Sequence, residues 1–174
     1  MTVMTVIHAP DPRLQVVSEA VGCVDDDVRR LADDLLETMY AEKGLGLSAI
    51  QVGIPRRIIV VDVARSDGAL QPLKLVNPAV TGSSQERVEF DEGCLSFPEL
   101  FALVERPASV DITYLDENGA GRELHADGLL ARCLQHEIDH LDGILFVDHL
   151  SALRRRLILR KMIKWKKARL RDIA

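Results

Sequence analysis

The spacing of hydrophobic and polar positions changes several times along the chain. Val28, Leu31, Leu35, Leu36 and Met39 recur every three or four residues behind Asp25-Asp26-Asp27, which predicts a helix that starts at those acids and runs to Tyr40. Ahead of it, Pro10 and Pro12 forbid helix and predict an extended, looping lead-in. Arg57 to Val63 is a β-branched apolar run, read as a buried strand ending at Ser66-Asp67-Gly68. Lys74-Leu75-Val76 reads as a short strand stopped by Asn77-Pro78. Gly93 and Pro98 bracket a short, stiff segment around Cys94. Val110 to Tyr114 alternates as a half-buried strand does, Asp116 to Gly119 is a turn, and Arg122-Glu123-Leu124 returns as the antiparallel partner.

That hairpin leads to a second helix, with Asp127 as its N-cap and Gly143 as its stop. The fold class that follows is α+β: this helix packed among antiparallel sheets, with an N-terminal and a C-terminal helix. Strand and helix do not alternate as a parallel doubly wound sheet requires. With 174 residues, 47% of them apolar and 28% charged, one domain over 1–174 has enough material for its core. The first ten residues lack a secretory signal's apolar run, and no stretch reaches the roughly eighteen apolar residues of a membrane span, so a soluble protein is expected. Cys23, Cys94 and Cys133 are an odd number without framework spacing, which suits a reducing compartment.

Charge is unevenly placed. Arg154 to Arg171 holds ten basic residues and no acid, so with a net charge of −5 the rest of the chain carries about −15. Leu153, Leu157, Ile158, Met162, Ile163, Trp165 and Leu170 are interspersed there, predicting a basic amphipathic helix over about 151–172. A concentrated basic helix on an acidic body is a handle for a polyanion or, alternatively, a membrane surface; a plain solvated face is the simpler reading.

The chemistry centres on Gln135-His136-Glu137-Ile138-Asp139-His140-Leu141. Helix positions four apart lie about 6 Å from each other on one face, so His136 and His140 can share a metal ion. Glu137, about 100° round from His136, can reach a water on that metal as a general base. A catalytic site needs a third ligand. Cys133 shares the stripe, but it stands about 10.5 Å along the axis from His140, and one straight rod does not easily span a tetrahedral centre. Cys94, approaching from another segment, is the better ligand. Leu129 and Cys133 then form an apolar wall beside the metal. His8 stands alone and is read as structural. Gly44-Leu45-Gly46-Leu47-Ser48-Ala49-Ile50-Gln51 lacks the lysine of a phosphate loop; its informative residue is Gln51, whose amide could donate to a developing oxyanion.

Gly44 to Gln51, Glu92-Gly93-Cys94-Leu95-Ser96 and Gln135 to Leu141, in that order, resemble the three motifs of bacterial-type peptide deformylases. The resemblance extends to the Pro-Asp-Pro region and the C-terminal helix, and so to essentially the whole chain. It implies that Cys94, His136 and His140 bind one divalent metal, generally Fe2+ with Zn2+, Ni2+ or Co2+ as substitutes, and that Glu137 is general base and then acid. It further implies that Gln51 and the Leu95 N–H form the oxyanion hole, that Leu45, Gly46 and Gly93 hold an extended peptide, and that Cys133 lines the methionine pocket. The activity implied is removal of the formyl group from N-formylmethionyl nascent peptides, in the cytoplasm, with the basic helix docking on the ribosome and no DNA or membrane partner. Three positions depart from the family pattern: Ser48 for a common alanine, a small-for-small exchange expected to change little; Phe101 for a frequent arginine; and Arg132 for an apolar residue. The last two bear on preference beyond the formylmethionine unit. Two rival readings are a zinc endopeptidase, which would want another histidine or glutamate in place of Cys94, and a non-catalytic ribosome- or RNA-associated protein.

Overall fold

The computed structural model describes residues 2–64 and 70–172. The expected turn at Ser66-Asp67-Gly68 lies outside the described residues, as does the side chain of Leu170. The first helix, α1, spans Asp26–Ala41 and is capped by Asp25, whose carboxylate accepts from the Val28 N–H. Its apolar stripe (Val28, Ala32, Leu35, Met39) is buried, as the spacing requires.

Five strands form one antiparallel sheet in the order β1 (Gly46–Ser48), β2 (Ile58–Val61), β3 (Leu73–Ser83), β6 (Ser109–Leu115) and β7 (Gly121–Asp127). The strands between them in sequence, β4 (Arg87–Cys94) and β5 (Phe97–Pro107), make a separate two-stranded sheet. Both faces of β2 are covered. Ile58 and Val60 pack with α1, while Ile59 and Val61 pack with the second helix, α2 (Gly128–Leu141), so the strand reads as a continuous apolar run. The third helix, α3 (Ala152–Asp172), lays Ile158 and Met162 into a core shared with Ile7, Phe97 and Phe146. Leu153, Leu157 and Ile163 stay exposed, so its apolar face is narrower than the sequence suggested. No helix among the described residues is long and apolar enough to cross a membrane.

Three local expectations are corrected. Pro12 opens a short 3-10 helix, Pro12–Gln15, because a first helical position has no use for the N–H that proline lacks. Asn77-Pro78 does not stop β3: Asn77 takes φ 52° at a bulge, and its side-chain amide is held by the Val21 N–H and carbonyl at 2.8 Å each. The Gly93 to Pro98 segment is a hairpin end, with Leu95 and Ser96 as its turn and Pro98 already inside β5. The hairpin β6–β7 and the end of α2 are as expected. Gly143 has φ 74°, and a Cβ there would lie 2.5 Å from the Gln15 carbonyl oxygen, so only glycine lets the chain leave α2 against the N-terminal segment.

Candidate metal centre

The helix α2 presents two stripes. Ala131, Leu134, Ile138 and Leu141 pack on β2, β3, β6 and β7 of the five-stranded sheet, while His136, Glu137 and His140 are buried toward Cys94 at the end of β4 and the edge strand β1. Cys94 enters at the end of β4. Its Sγ lies 3.3 Å from His140 Nε2, and one ligating atom from each of Cys94, His136 and His140 falls within 4.8 Å of the others. Among the described residues this is the one His/Cys/Asp/Glu group close enough to share a metal ion. Cys133 is outside it. Burial, then the nearby Glu137 carboxylate, push its thiol well above the usual range, so it stays protonated and serves as wall.

The surroundings fit a divalent cation. His136 donates from Nδ1 to Glu92 at 3.1 Å, which leaves Nε2 to face Cys94 and His140. Burial opposes a charge on His136, but Cys94 and Glu92 outweigh it and hold the imidazole well above its ordinary pKa: positive charge is wanted at this point. His140 is pushed the other way by burial, then by His136 and Arg106, and so remains a neutral ring able to ligate. A thiol and two imidazoles leave a fourth position open.

Gln51 lies in a 3-10 turn after β1, only 1% exposed. Its Oε1 accepts from the Ser48 N–H at 3.0 Å and the Ser48 hydroxyl at 2.9 Å, which turns Nε2 toward Ser96 Oγ at 3.1 Å and Cys94 Sγ at 3.5 Å. The N–H at position 48, which an alanine would also supply, fixes which way the amide points, and the Ser48 hydroxyl adds a second bond to it. The S-x-x-Q spacing of a capping box was the signal for it. Glu137 is 4% exposed, and its Oε2 has no hydrogen-bond partner among the described residues. A Cβ on Gly46 would sit 2.6 Å from Glu137 Oε1 and 2.8 Å from Cys133 Sγ, so β1 passes close enough over the carboxylate that a side chain there would displace it.

These groups open on a cavity of about 610 Å3, whose walls include Leu45, Gly46, Gly93, Cys94, Leu95, Leu129, Cys133, His136 and Glu137. Gln51 and His140 do not line it; each meets it through Cys94, whose Sγ they contact. His8 is not among the candidate ligands; its ring meets the edge of Trp165, with centroids 4.9 Å apart. Phe101 lies across Gly93, where a Cβ would be 2.5 Å from its ring, and Arg132 places its guanidinium 4.5 Å from the Phe90 ring centroid at the cavity wall.

Sequence reasoning missed the support of the site. Arg106, 3% exposed, donates to both oxygens of Glu92 and, at 2.8 Å, to Asp139 Oδ2, which also meets His149 Nε2 at 2.7 Å. An arginine two residues after Val104 on an inward-facing stripe was the available signal, since a charge there must find partners.

The polypeptide deformylase family model matches residues 3–156. A peptide deformylase of Rhizobium meliloti is 50% identical over 169 residues, covering 97% of either chain, and one of Agrobacterium fabrum is 48% identical, covering 98% of this chain and all of its own. Among solved structures, a peptide deformylase of Ehrlichia chaffeensis in complex with actinonin superposes with a TM-score of 0.90 at 43% identity, over 94% of this chain and 98% of that one. One from Legionella pneumophila gives 0.90 at 38% identity, over 98% and 99%.

Proposed function

The chain belongs to the polypeptide deformylase family, metal-dependent hydrolases of the N-formyl amide of newly made polypeptides, and on that premise we propose how its own residues perform the reaction. The observation that carries the proposal is the convergence of Cys94, His136 and His140 beside a buried carboxylate, Glu137, with an unpartnered oxygen. Cys94, His136 and His140 would hold one divalent ion, which supplies a Lewis acid and a water acidified toward a pKa of about 7. Glu137 takes the proton of the attacking water and later passes it to the leaving amine. Gln51 Nε2 and the Leu95 N–H donate to the oxyanion that grows on the formyl oxygen, each such donor being worth about 3 kcal/mol. Leu45, Gly46 and Gly93 offer backbone to an extended peptide, and Cys133 with Leu129 receives the methionine side chain. Glu92, anchored by Arg106, keeps the His136 tautomer that leaves Nε2 for the ion.

The ion assigned to the cell is ferrous iron, with Zn2+, Ni2+ and Co2+ as substitutes; the support is the family resemblance, since this donor set accepts all four. The endopeptidase alternative wants a histidine or acid at the place Cys94 occupies. The test is formate release from a formyl-Met tripeptide by anaerobically purified protein, beside Cys94→Ser, with metal measured on both. Release by the wild type, lost together with the metal in Cys94→Ser, is expected; a fully metallated wild type that releases no formate would overturn the assignment.

The whole chain is read as one catalytic unit, cytoplasmic, with α3 docking it on the ribosome. The support is the ten cations of α3, most of them exposed while Ile158 and Met162 face the core. Because those two residues are buried, neutralising cations tests the docking more cleanly than deleting the helix. Changing Arg154, Arg156, Lys161 and Lys164 to Gln should weaken ribosome cosedimentation and flatten its salt dependence by about one unit of log–log slope for each phosphate no longer neutralised. Unchanged sedimentation would count against the docking.

A further inference from the structure

The cavity beside Cys94, His136 and His140 does not end at its rim. A second one, of about 250 Å3, lies between the N-terminal segment and α3, with Val6, Ile7, Asp11, Arg13, Trp165 and Lys166 in its walls. His8 and Arg169 line both cavities, so this pair forms the sill between them. The charge of the second cavity is one-sided. Arg13 is already committed to Asp11, donating from Nε at 3.0 Å and Nη2 at 2.8 Å, so those two cancel. Lys166 and Arg169 have no ion-pair partner among the described residues. Burial, then Arg169, lower the pKa of His8 and keep it neutral at the sill. Two cations without an ion pair among the described residues therefore stand over a wall made by buried Val6 and Ile7 and the half-buried Trp165, and the Arg169 guanidinium lies 4.9 Å from the Trp165 ring centroid.

We propose that this second cavity is a subsite for an acidic stretch of the substrate polypeptide downstream of its formylmethionine, with Lys166 and Arg169 as the residues that select it. The inference rests on the hydrolytic reading above: the occupant of the first cavity is a peptide N-terminus, and the chain that crosses the sill is the continuation of that peptide. Charge complementarity sets its character. The walls of the first cavity mix Glu42, Asp91 and Glu99 with Lys43 and Arg132, so they give acids close to the methionine no advantage of their own. The preference is carried where Lys166 and Arg169 stand, further along the chain. The helix α3 thereby takes a direct part in choosing substrates.

The experiment compares kcat/KM for formyl-Met-Ala-Ala-Ala-Glu-Glu-Glu and formyl-Met-Ala-Ala-Ala-Lys-Lys-Lys, each divided by the value for a formyl-Met tripeptide on the same metallated protein. Partly exposed ion pairs to two cations predict a glutamate-to-lysine ratio of about three to ten at low salt, carried by KM and shrinking as salt is added. Lys166→Glu/Arg169→Glu should invert the ratio, and Lys166→Arg/Arg169→Lys should keep it. A ratio of one in the wild type, or one that the charge reversal leaves alone, would overturn the subsite. A flat peptide ratio together with retention of a single-stranded RNA oligomer lost on charge reversal would give the pocket to nucleic acid and equally overturn it. Failure of the tripeptide itself to release formate would instead strike the hydrolytic reading, so the two failures are distinguishable.

Discussion

Glu137→Gln should keep its metal and lose formate release by about 10²- to 10⁴-fold, the range a positioned general base supplies. The exchange is nearly isosteric, so it removes the proton acceptor without opening space under Gly46, whose backbone leaves no room for a side chain above Glu137 Oε1. Measuring kcat and bound metal on the same preparation separates the loss of a base from the loss of an ion. Full activity in a metallated Glu137→Gln protein would remove Glu137 from the mechanism.

The same substitution has a second, opposite readout in metal-free protein. Burial pushes the Glu137 carboxyl up to about 7, against the smaller lowering influence of His136 and the Ser48 hydroxyl. A carboxyl whose pKa is raised on folding contributes fully below its unfolded value, 4.5, and that contribution fades as the pH rises through about 7. The charge buried at higher pH costs about 3 kcal/mol, so metal-free Glu137→Gln should be more stable than wild type by that order at pH 8 and no different at pH 4. Denaturant melts of the two apo proteins across this range check the sign. Equal pH dependence would mean that Glu137 is hydrated in the apo state.

Arg106→Met should unfold more easily by about 3–5 kcal/mol, the usual cost of leaving a buried ion without its partner. For a chain of this size the fall in Tm is on the order of 10 °C. The reason lies in what remains: Glu92 and Asp139 both lose their guanidinium, and Glu92 is 4% exposed. Burial alone would raise the Glu92 pKa, but His136 and Arg106 outweigh it and hold the carboxyl at about 2. A depressed pKa gives stability above the unfolded value of 4.5 that disappears as the pH falls toward 2, so wild type should lose this contribution over that window. Glu92→Gln/Arg106→Met, which removes both charges, should recover part of the loss; a double variant as unstable as the sum of the single ones would deny the coupling.

Some of the site is legible in the order of residues alone. His136 and His140 lie four residues apart on one helix, and the amphipathic stripe of α2 sets which way they face, so their pairing follows from helical geometry. The stripe of α1, its Asp25 cap and the β6–β7 hairpin are readable for the same reason: each depends on spacings inside one element or across one short turn. The bulge at Asn77 and the helical turn at Pro12 are not, because local breakers taken at face value mislead there, whereas long-range bonds to Val21 and the tolerance of a first helical position decide those places.

What the sequence determined by itself is the chemistry on offer: a pair of imidazoles in register, a carboxylate beside them, two cysteines that could complete the set, an amide that could serve an oxyanion, and a basic final helix. Tertiary structure decided how these are used. It set Cys94 against His140 across 46 positions, turned Gln51 by way of Ser48, brought Gly46 down onto Glu137, and joined Arg106 to Glu92 and Asp139 over 14 and 33 positions. It also placed Arg169 of α3 at the rim of the same cavity, which no reading of charge along the chain reveals. Hydrophobic periodicity fixes which face of an element turns inward. Which side chains meet there depends on how separate elements pack against one another, and that is settled only when the whole core closes.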